Sequence, residues 1–194
     1  MNQSIEREFK TLITQAQFAR ISADQLSAKH IEQTNYYFEL PNQMLAQQQL
    51  SLRIRTYATK AEQTLKIPNQ SQQHDLTELT EPLSLIPAHT LIKQQTIQKE
   101  GPIMAYFKQQ ALNWPKLYIW GYSTTRRLTV QLPIGCLALD QTTYPDQFVD
   151  YELELEVADF KSATTFYQQL LRDYQITPTP IINKIQRAQA HQAN

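Results

Sequence analysis

SIEREFKTLIT, residues 4–14, sets three charges along one side of an extended chain. Successive side chains of a strand point to opposite faces, so Glu6, Glu8 and Lys10 share one face and Ile5, Arg7 and Phe9 the other. Two carboxylates and an ammonium in a row mark either a solvated edge or the wall of a polar cavity. The remaining strand-like stretches decide between the two.

The same alternation recurs downstream. In LSLRIRTY, Ser51, Arg53, Arg55 and Tyr57 oppose Leu50, Leu52 and Ile54; in TLKI, Lys66 opposes Leu65 and Ile67. In STTRRLTV, Ser123, Thr125, Arg127 and Thr129 oppose Thr124, Arg126, Leu128 and Val130. CLALD sets Ala138 and Asp140 against Leu137 and Leu139, and DYELELEV sets Asp150, Glu152, Glu154 and Glu156 against Tyr151, Leu153, Leu155 and Val157.

Each polar face carries charge largely of one sign, and like charges about 7 Å apart along a strand repel. An ordinary barrel turns its apolar face inward and its charges to water. Here amphipathic helical stretches at 14–27, 88–113 and 159–174 are available to cover the apolar faces from outside; if they do so, the charged face lines the lumen. Burying so many charges is costly unless they are paired or hold a charged ligand. Basic and acidic strands around one lumen suit a polyanion held together with cations, and metal plus polyphosphate meets both needs.

Composition narrows the class. A chain of 194 residues is expected to form one domain, and 18 basic residues balance 18 acidic ones, against a general nucleic-acid binder or a polybasic membrane protein. The single Cys136 rules out an intrachain disulfide framework and a CxxC zinc site, and its setting, IGCLALD, reads as a packed strand position. The first residues are polar and no run approaches the length of a membrane span, so a cytoplasmic protein is expected.

The pattern predicts a helix capped by Thr14, strand pairs at 34–40 with 49–58 and at 62–68 with 74–80, and two helices divided at Gly101-Pro102. Three strands follow between 116 and 157, then a helix capped by Asp159 with Phe166, Leu170 and Tyr174 on one face, and a short helix after the tail prolines. Some eight strands joined mostly by short turns predict an α+β fold, an antiparallel sheet closed or nearly closed into a barrel with helices outside.

With its faces sorted, the chain resembles a known family. IEREFK resembles the ExExK signature of the CYTH superfamily, the triphosphate tunnel metalloenzymes. LRIR resembles that family's RxR strand, LKI its next inward lysine and TTRR its later inward arginine. LALD followed by DYELELE resembles its second acidic cluster, and NKIQR its C-terminal lysine motif. The ordered set runs from residue 5 to residue 187 and is similar to the small stand-alone bacterial members. HDLTELT departs from the pattern: Glu78 matches an acidic position, but Leu76 stands where a polar lumen residue is expected.

The resemblance implies an eight-stranded antiparallel β-barrel forming a closed tunnel. It implies Glu6, Glu8, Asp140, Glu152 and Glu154 as the metal side, carboxylates suited to Mg²⁺ or Mn²⁺. Lys10, Arg53, Arg55, Lys66, Arg127 and Lys184 are then the triphosphate ligands. Glu78 and Glu156 are expected behind these or at the rim, Arg126 as a substitute for Arg127 if the register slips by one, and Arg187 at the surface or rim. The implied activity is metal-dependent hydrolysis of the terminal phosphate of inorganic triphosphate or a related organic triphosphate, with Glu6, Glu8 and Lys10 catalytic. A class IV-type adenylate cyclase and a non-catalytic phosphate- or nucleotide-binding tunnel are the alternatives.

Absences agree with side-chain chemistry. Neither GxxxxGK[ST] nor GxGxxG occurs, and with three glycines any phosphate must be held by side chains. His30, His74, His89 and His191 lie outside the charged strand cores and are expected at the surface or in loops, and no nucleophile elbow is present. Tyr36, Tyr37 and Phe38 are expected to pack the barrel rather than stack bases.

Overall fold

The computed structural model describes residues 2–25, 28–69, 75–180 and 182–192. Its strands are β1 (Asn2–Glu6), β2 (Glu8–Ile13), β3 (Lys29–Glu39), β4 (Ser51–Thr56), β5 (Ala61–Pro68), β6 (Leu76–Leu83), β7 (Tyr118–Leu132), β8 (Gly135–Thr143) and β9 (Val149–Val157). They form one antiparallel sheet in the order β1-β6-β5-β4-β3-β7-β8-β9-β2.

The two ends of that order, β1 and β2, are separated in the chain by Arg7 alone. The first extended stretch therefore pairs with β6 in its first half and with β9 in its second, which closes the sheet into a barrel. The eight strands expected are these nine, with the first broken at Arg7. At the break the Arg7 carbonyl accepts from the Val157 N–H at 2.9 Å, and the guanidinium turns to Asp75, with Nη2 2.6 Å from Oδ2 and Nε 3.0 Å from Oδ1.

The helices are α1 (Gln15–Asp24), α2 (Met44–Gln47), α3 (Leu85–Lys93), α4 (Pro102–Gln109), α5 (Phe160–Asp173) and α6 (Lys184–Ala190). Thr14 caps α1 reciprocally with Gln17, each satisfying one of the other's backbone N–H groups at 3.2 and 2.9 Å. Asp159 caps α5 by accepting from the Ser162 N–H at 2.8 Å. Gly101 separates α3 from α4 at φ +109°, a backbone conformation that β-carbon-bearing residues avoid. Among the described residues no helix is long and apolar enough to cross a membrane.

The apolar strand faces lie outside the barrel under two helical covers. Leu52, Ile54 and Leu65 pack with Ala88, Ile103 and Phe107 of α3 and α4. Leu139, Leu153 and Leu155 pack with Ile21 of α1 and with Ala163 and Leu170 of α5. Apolar burial of this kind is the main favourable term in folding, so it fixes which face of each strand looks inward. The buried face of α5 differs from the one expected: Tyr167 lies inward and Phe166 is 39% exposed. Tyr167 takes the inward place because its ring stacks on Phe9, the outward residue between Glu8 and Lys10, at 4.5 Å.

Phe38 is fully buried in the first cover, whereas Tyr37 packs with Tyr144 and with Ala188 of α6. Opposite Tyr37 stands Gly121, where a Cβ would lie 2.8 Å from the Ala188 carbonyl carbon. This bare strand position lets α6 approach the sheet backbone. His89 is exposed, His30 lies exposed at the start of β3, and His191 pairs with Asp146 at 2.7 Å. His74 lies outside the described residues.

Candidate active site in the barrel lumen

The inward faces enclose a cavity of about 270 Å³. Every site residue expected from the sequence lines it except Asp140, which is fully buried behind Arg127 and Lys184. Glu78 and Glu156 line it as well, and so does Leu76, so the departure in HDLTELT is an apolar side chain in an otherwise polar wall. The alternation places Arg127 inside. Arg126 points out, 73% exposed, and meets Glu32 at 3.2 Å.

Charge is segregated around the lumen. Arg53 and Arg55 on β4 and Lys66 on β5 form a basic wall, while Glu8 on β2, Asp140 on β8 and Glu152, Glu154 and Glu156 on β9 form an acidic one. Cations enter the acidic side: Lys10 pairs with Glu8 at 2.6 Å, and two more reach the carboxylates of β8 and β9. Arg127 grips Asp140 with two bonds of 2.6 Å and reaches Glu154 at 2.5 Å. Lys184, the first residue of α6, bonds Glu154 at 2.7 Å, Glu152 at 2.8 Å and also Asp140.

These contacts set the proton affinities. Burial alone would raise Asp140 and Glu154, but Lys184 and Arg127 outweigh it and hold both below the ordinary carboxylate range, Glu154 far below. The same carboxylates carry Arg127 and Lys184 well above their usual values against the opposing effect of burial. Glu8 behaves oppositely. Burial, then Glu154 and Glu6, push it up to about 7, although Lys10 Nζ lies 2.6 Å from its Oε1. Burial and the neighbouring Arg53 lower Arg55.

On the basic wall Lys66 pairs with Glu6 and Glu78, and Arg53 is the least paired. Arg55 donates to Asn35 Oδ1 at 2.8 Å and lies 3.4 Å from Glu62. Arg53 reaches Glu78 only at 3.9 Å, and its buried Nε has no partner among the described residues. A buried guanidinium donor is rarely left so, and Arg53 is one of the residues that line the cavity.

Arg187 corrects the sequence reading. It is 8% exposed, not at the surface, with Nη2 2.7 Å from Glu152 Oε2 and Nε 2.8 Å from Asp150 Oδ2. Tyr144, which the sequence reading also missed, accepts from Arg187 Nε at 3.0 Å and donates to Asp150 at 2.6 Å. The signal for Arg187 was its spacing: Lys184 and Arg187 are three apart, so one helix face carries both.

A family model described as "CYTH domain" matches residues 4–188. The chain belongs to the CYTH domain family. Among CYTH relatives, YjbK of Bacillus subtilis (strain 168), named as a candidate triphosphatase, is 29% identical over 194 residues, covering 96% of this chain and 95% of its own. A solved structure from Bacillus halodurans, titled as a candidate adenylate cyclase, has a TM-score of 0.88 at 30% identity and covers 96% of this chain and 98% of its own. A structure from Hippeastrum, titled as a candidate adenylyl cyclase with a dominant triphosphatase activity, has a TM-score of 0.80 at 18% identity, covering 98% and 97%. At that identity the likeness is one of fold.

The donor chemistry on the acidic side suits a hard divalent cation. Asp140, Glu152 and Glu154 each bring one oxygen within 4.8 Å of the others, and Lys184 already sets a positive charge among them.

Proposed function

We propose that this CYTH protein is a metal-dependent triphosphatase that removes the terminal phosphate of inorganic triphosphate, or of a related organic triphosphate, inside its barrel. The observation that carries this reading is the opposition across one cavity of a basic wall, with Arg53 poorly paired, and a carboxylate cluster whose oxygens lie close enough to share a cation. The kinship with the candidate triphosphatase YjbK supports it.

In this reading Arg53, Arg55 and Lys66 receive the polyphosphate, the arginines by two-pronged contacts. Lys10, Arg127 and Lys184 neutralise charge developing on the transferred phosphoryl oxygens. Glu6, Glu8, Asp140, Glu152 and Glu154 hold Mg²⁺ or Mn²⁺, which when bound supplies Lewis-acid charge to the phosphate oxygens. Glu6 and Glu8 also orient and activate the attacking water. Leu76 and Ile185 give the cavity apolar patches that exclude water from part of its wall.

A second reading, a cyclase that uses a ribose hydroxyl in place of water, is favoured by the 30% identical Bacillus halodurans structure. Both are tested by incubating the purified protein with inorganic triphosphate, thiamine triphosphate and ATP in Mg²⁺, Mn²⁺ or EDTA. Orthophosphate release from inorganic triphosphate that EDTA abolishes is the expected result. Cyclic AMP from ATP without orthophosphate makes the protein a cyclase. A silent panel from folded protein leaves a binding tunnel.

A further inference from the structure

One ammonium occupies the carboxylate cluster. Lys184 Nζ bonds Glu154 Oε1 at 2.7 Å and Glu152 Oε2 at 2.8 Å, and it bonds Asp140 Oδ2 as well. Among the described residues these are the three whose oxygens gather closely enough to share one cation, and the side chain that joins them comes from α6 rather than from the barrel wall. A divalent ion sharing those oxygens would sit within a few ångströms of the ammonium. In a cavity screened from water, that repulsion is far stronger than at the surface.

We infer that Lys184 and a divalent cation exclude one another at Asp140, Glu152 and Glu154, so the cluster takes metal only in exchange for the lysine. The inference rests on the triphosphatase reading and deepens it. In the free protein Lys184 neutralises the cluster; in the loaded protein it is released toward the triphosphate, whose charge it then meets. Metal and polyphosphate thereby assist each other, because the anion offers the displaced ammonium a new partner. By linkage the assistance is reciprocal.

The rest of α6 is anchored for such an exchange. Arg187, one turn on, keeps its bonds to Glu152, Asp150 and Tyr144, and Ala188 packs against Gly121. The exchange therefore requires only the first residue of the helix to move its long side chain. Arg127 stays as the fixed cation of this wall, since its bidentate grip on Asp140 leaves that carboxylate oriented whether or not the lysine is present.

The test is Mn²⁺ affinity, followed by titration calorimetry without any phosphate present, in the wild type, K184M and K184Q. Both variants should bind Mn²⁺ about 10–100-fold more tightly than the wild type, the usual range of a coupling between sites. In the wild type, the Lys184 amine should also react faster with an acylating reagent, followed by mass spectrometry, when Mn²⁺ is added. Equal or weaker Mn²⁺ affinity in the variants, with no change in Lys184 labelling, overturns the inference. If neither variant folds, the wild-type labelling decides alone: unchanged Lys184 reactivity at saturating Mn²⁺ overturns it.

Failure of the parent reading looks different. Tighter Mn²⁺ binding in K184M without phosphate release from any triphosphate would uphold the exchange and remove the triphosphatase. No Mn²⁺ binding in any form would overturn the exchange and leave the triphosphatase to be decided by phosphate release.

Discussion

Lys66 Nζ lies 2.5 Å from Glu6 Oε2, a bond that reaches from β5 across β6 to β1. The same ammonium is 3.0 Å from Glu78. A basic residue of the proposed phosphate wall and the first carboxylate of the ExExK stretch thus neutralise each other. Loading with metal and triphosphate supplies each with a new partner, so the lumen trades internal ion pairs for ligand contacts. Such a trade leaves no charge buried alone in either state.

Glu6→Ala should therefore abolish metal-dependent phosphate release, by more than about 100-fold, the scale of losing one preorganised electrostatic group. The fold should survive, because Glu6 is only partly buried and its strand is held by pairing to β6. Release rates with Mg²⁺ or Mn²⁺, alongside far-ultraviolet circular dichroism, check both halves. An unchanged rate would remove Glu6 from the metal set.

Arg53→Ala should weaken triphosphate binding with little loss of stability. Among the described residues its Nε has no partner and its nearest carboxylate, Glu78, is 3.9 Å away, so few internal bonds are lost with it. A charge-assisted contact to phosphate is worth about 1.5–3 kcal/mol, or roughly 10–100-fold in affinity. Calorimetric titration with triphosphate and a urea denaturation curve measure the two quantities. A large drop in the urea midpoint with unaltered affinity would make Arg53 a structural residue.

Alternation made most of this site legible from the residues alone. Arg53 and Arg55 against Leu52 and Ile54 determine which face of β4 is polar, and the helical covers determine that this face is inside. What the pattern could not supply was the partnership of particular atoms. Tyr167 rather than Phe166 faces inward because Phe9, from the far end of the chain, offers it a ring. Arg187 is buried because Glu152 and Asp150 arrive from β9. The break at Arg7 depends on Asp75 and on the Val157 N–H, neither of which is near it in sequence. Each miss is a long-range contact that overrides a local preference.

The metal-free protein should be most stable in mildly acidic solution. Asp140 and Glu154 are held below their ordinary values, so as pH falls past 4.5 the unfolded chain takes protons first and stability is lost. Glu8 acts in the other direction. Folded, it takes a proton near pH 7; unfolded, only near 4.5, so stability falls as pH rises through that interval. Glu156 and Asp150, raised chiefly by burial, add to the second effect. Urea midpoints measured in EDTA should peak between about pH 4.5 and 6 and decline on both sides. A midpoint that is level from pH 4.5 to 8 would contradict the burial of Glu8.

Arg187→Met should cost far more stability than Arg53→Ala. The guanidinium donates to the Ile182 carbonyl at 2.6 Å and bridges Glu152 at 2.7 Å and Asp150 at 2.8 Å, tying α6 to β9. Asp150 already has one buried oxygen without a partner among the described residues, so losing the arginine leaves it poorly satisfied. Breaking a buried pair from one side costs about 3–5 kcal/mol, which for a chain of this size lowers Tm by roughly 6–20 °C. The loss comes mainly from orphaned carboxylates rather than from missing attraction. Glu152→Gln combined with Arg187→Met should therefore cost less than the sum of the two single changes. Thermal unfolding of the four proteins measures this directly. Strict additivity, or a loss under about 1 kcal/mol for Arg187→Met, would place the arginine in water after all.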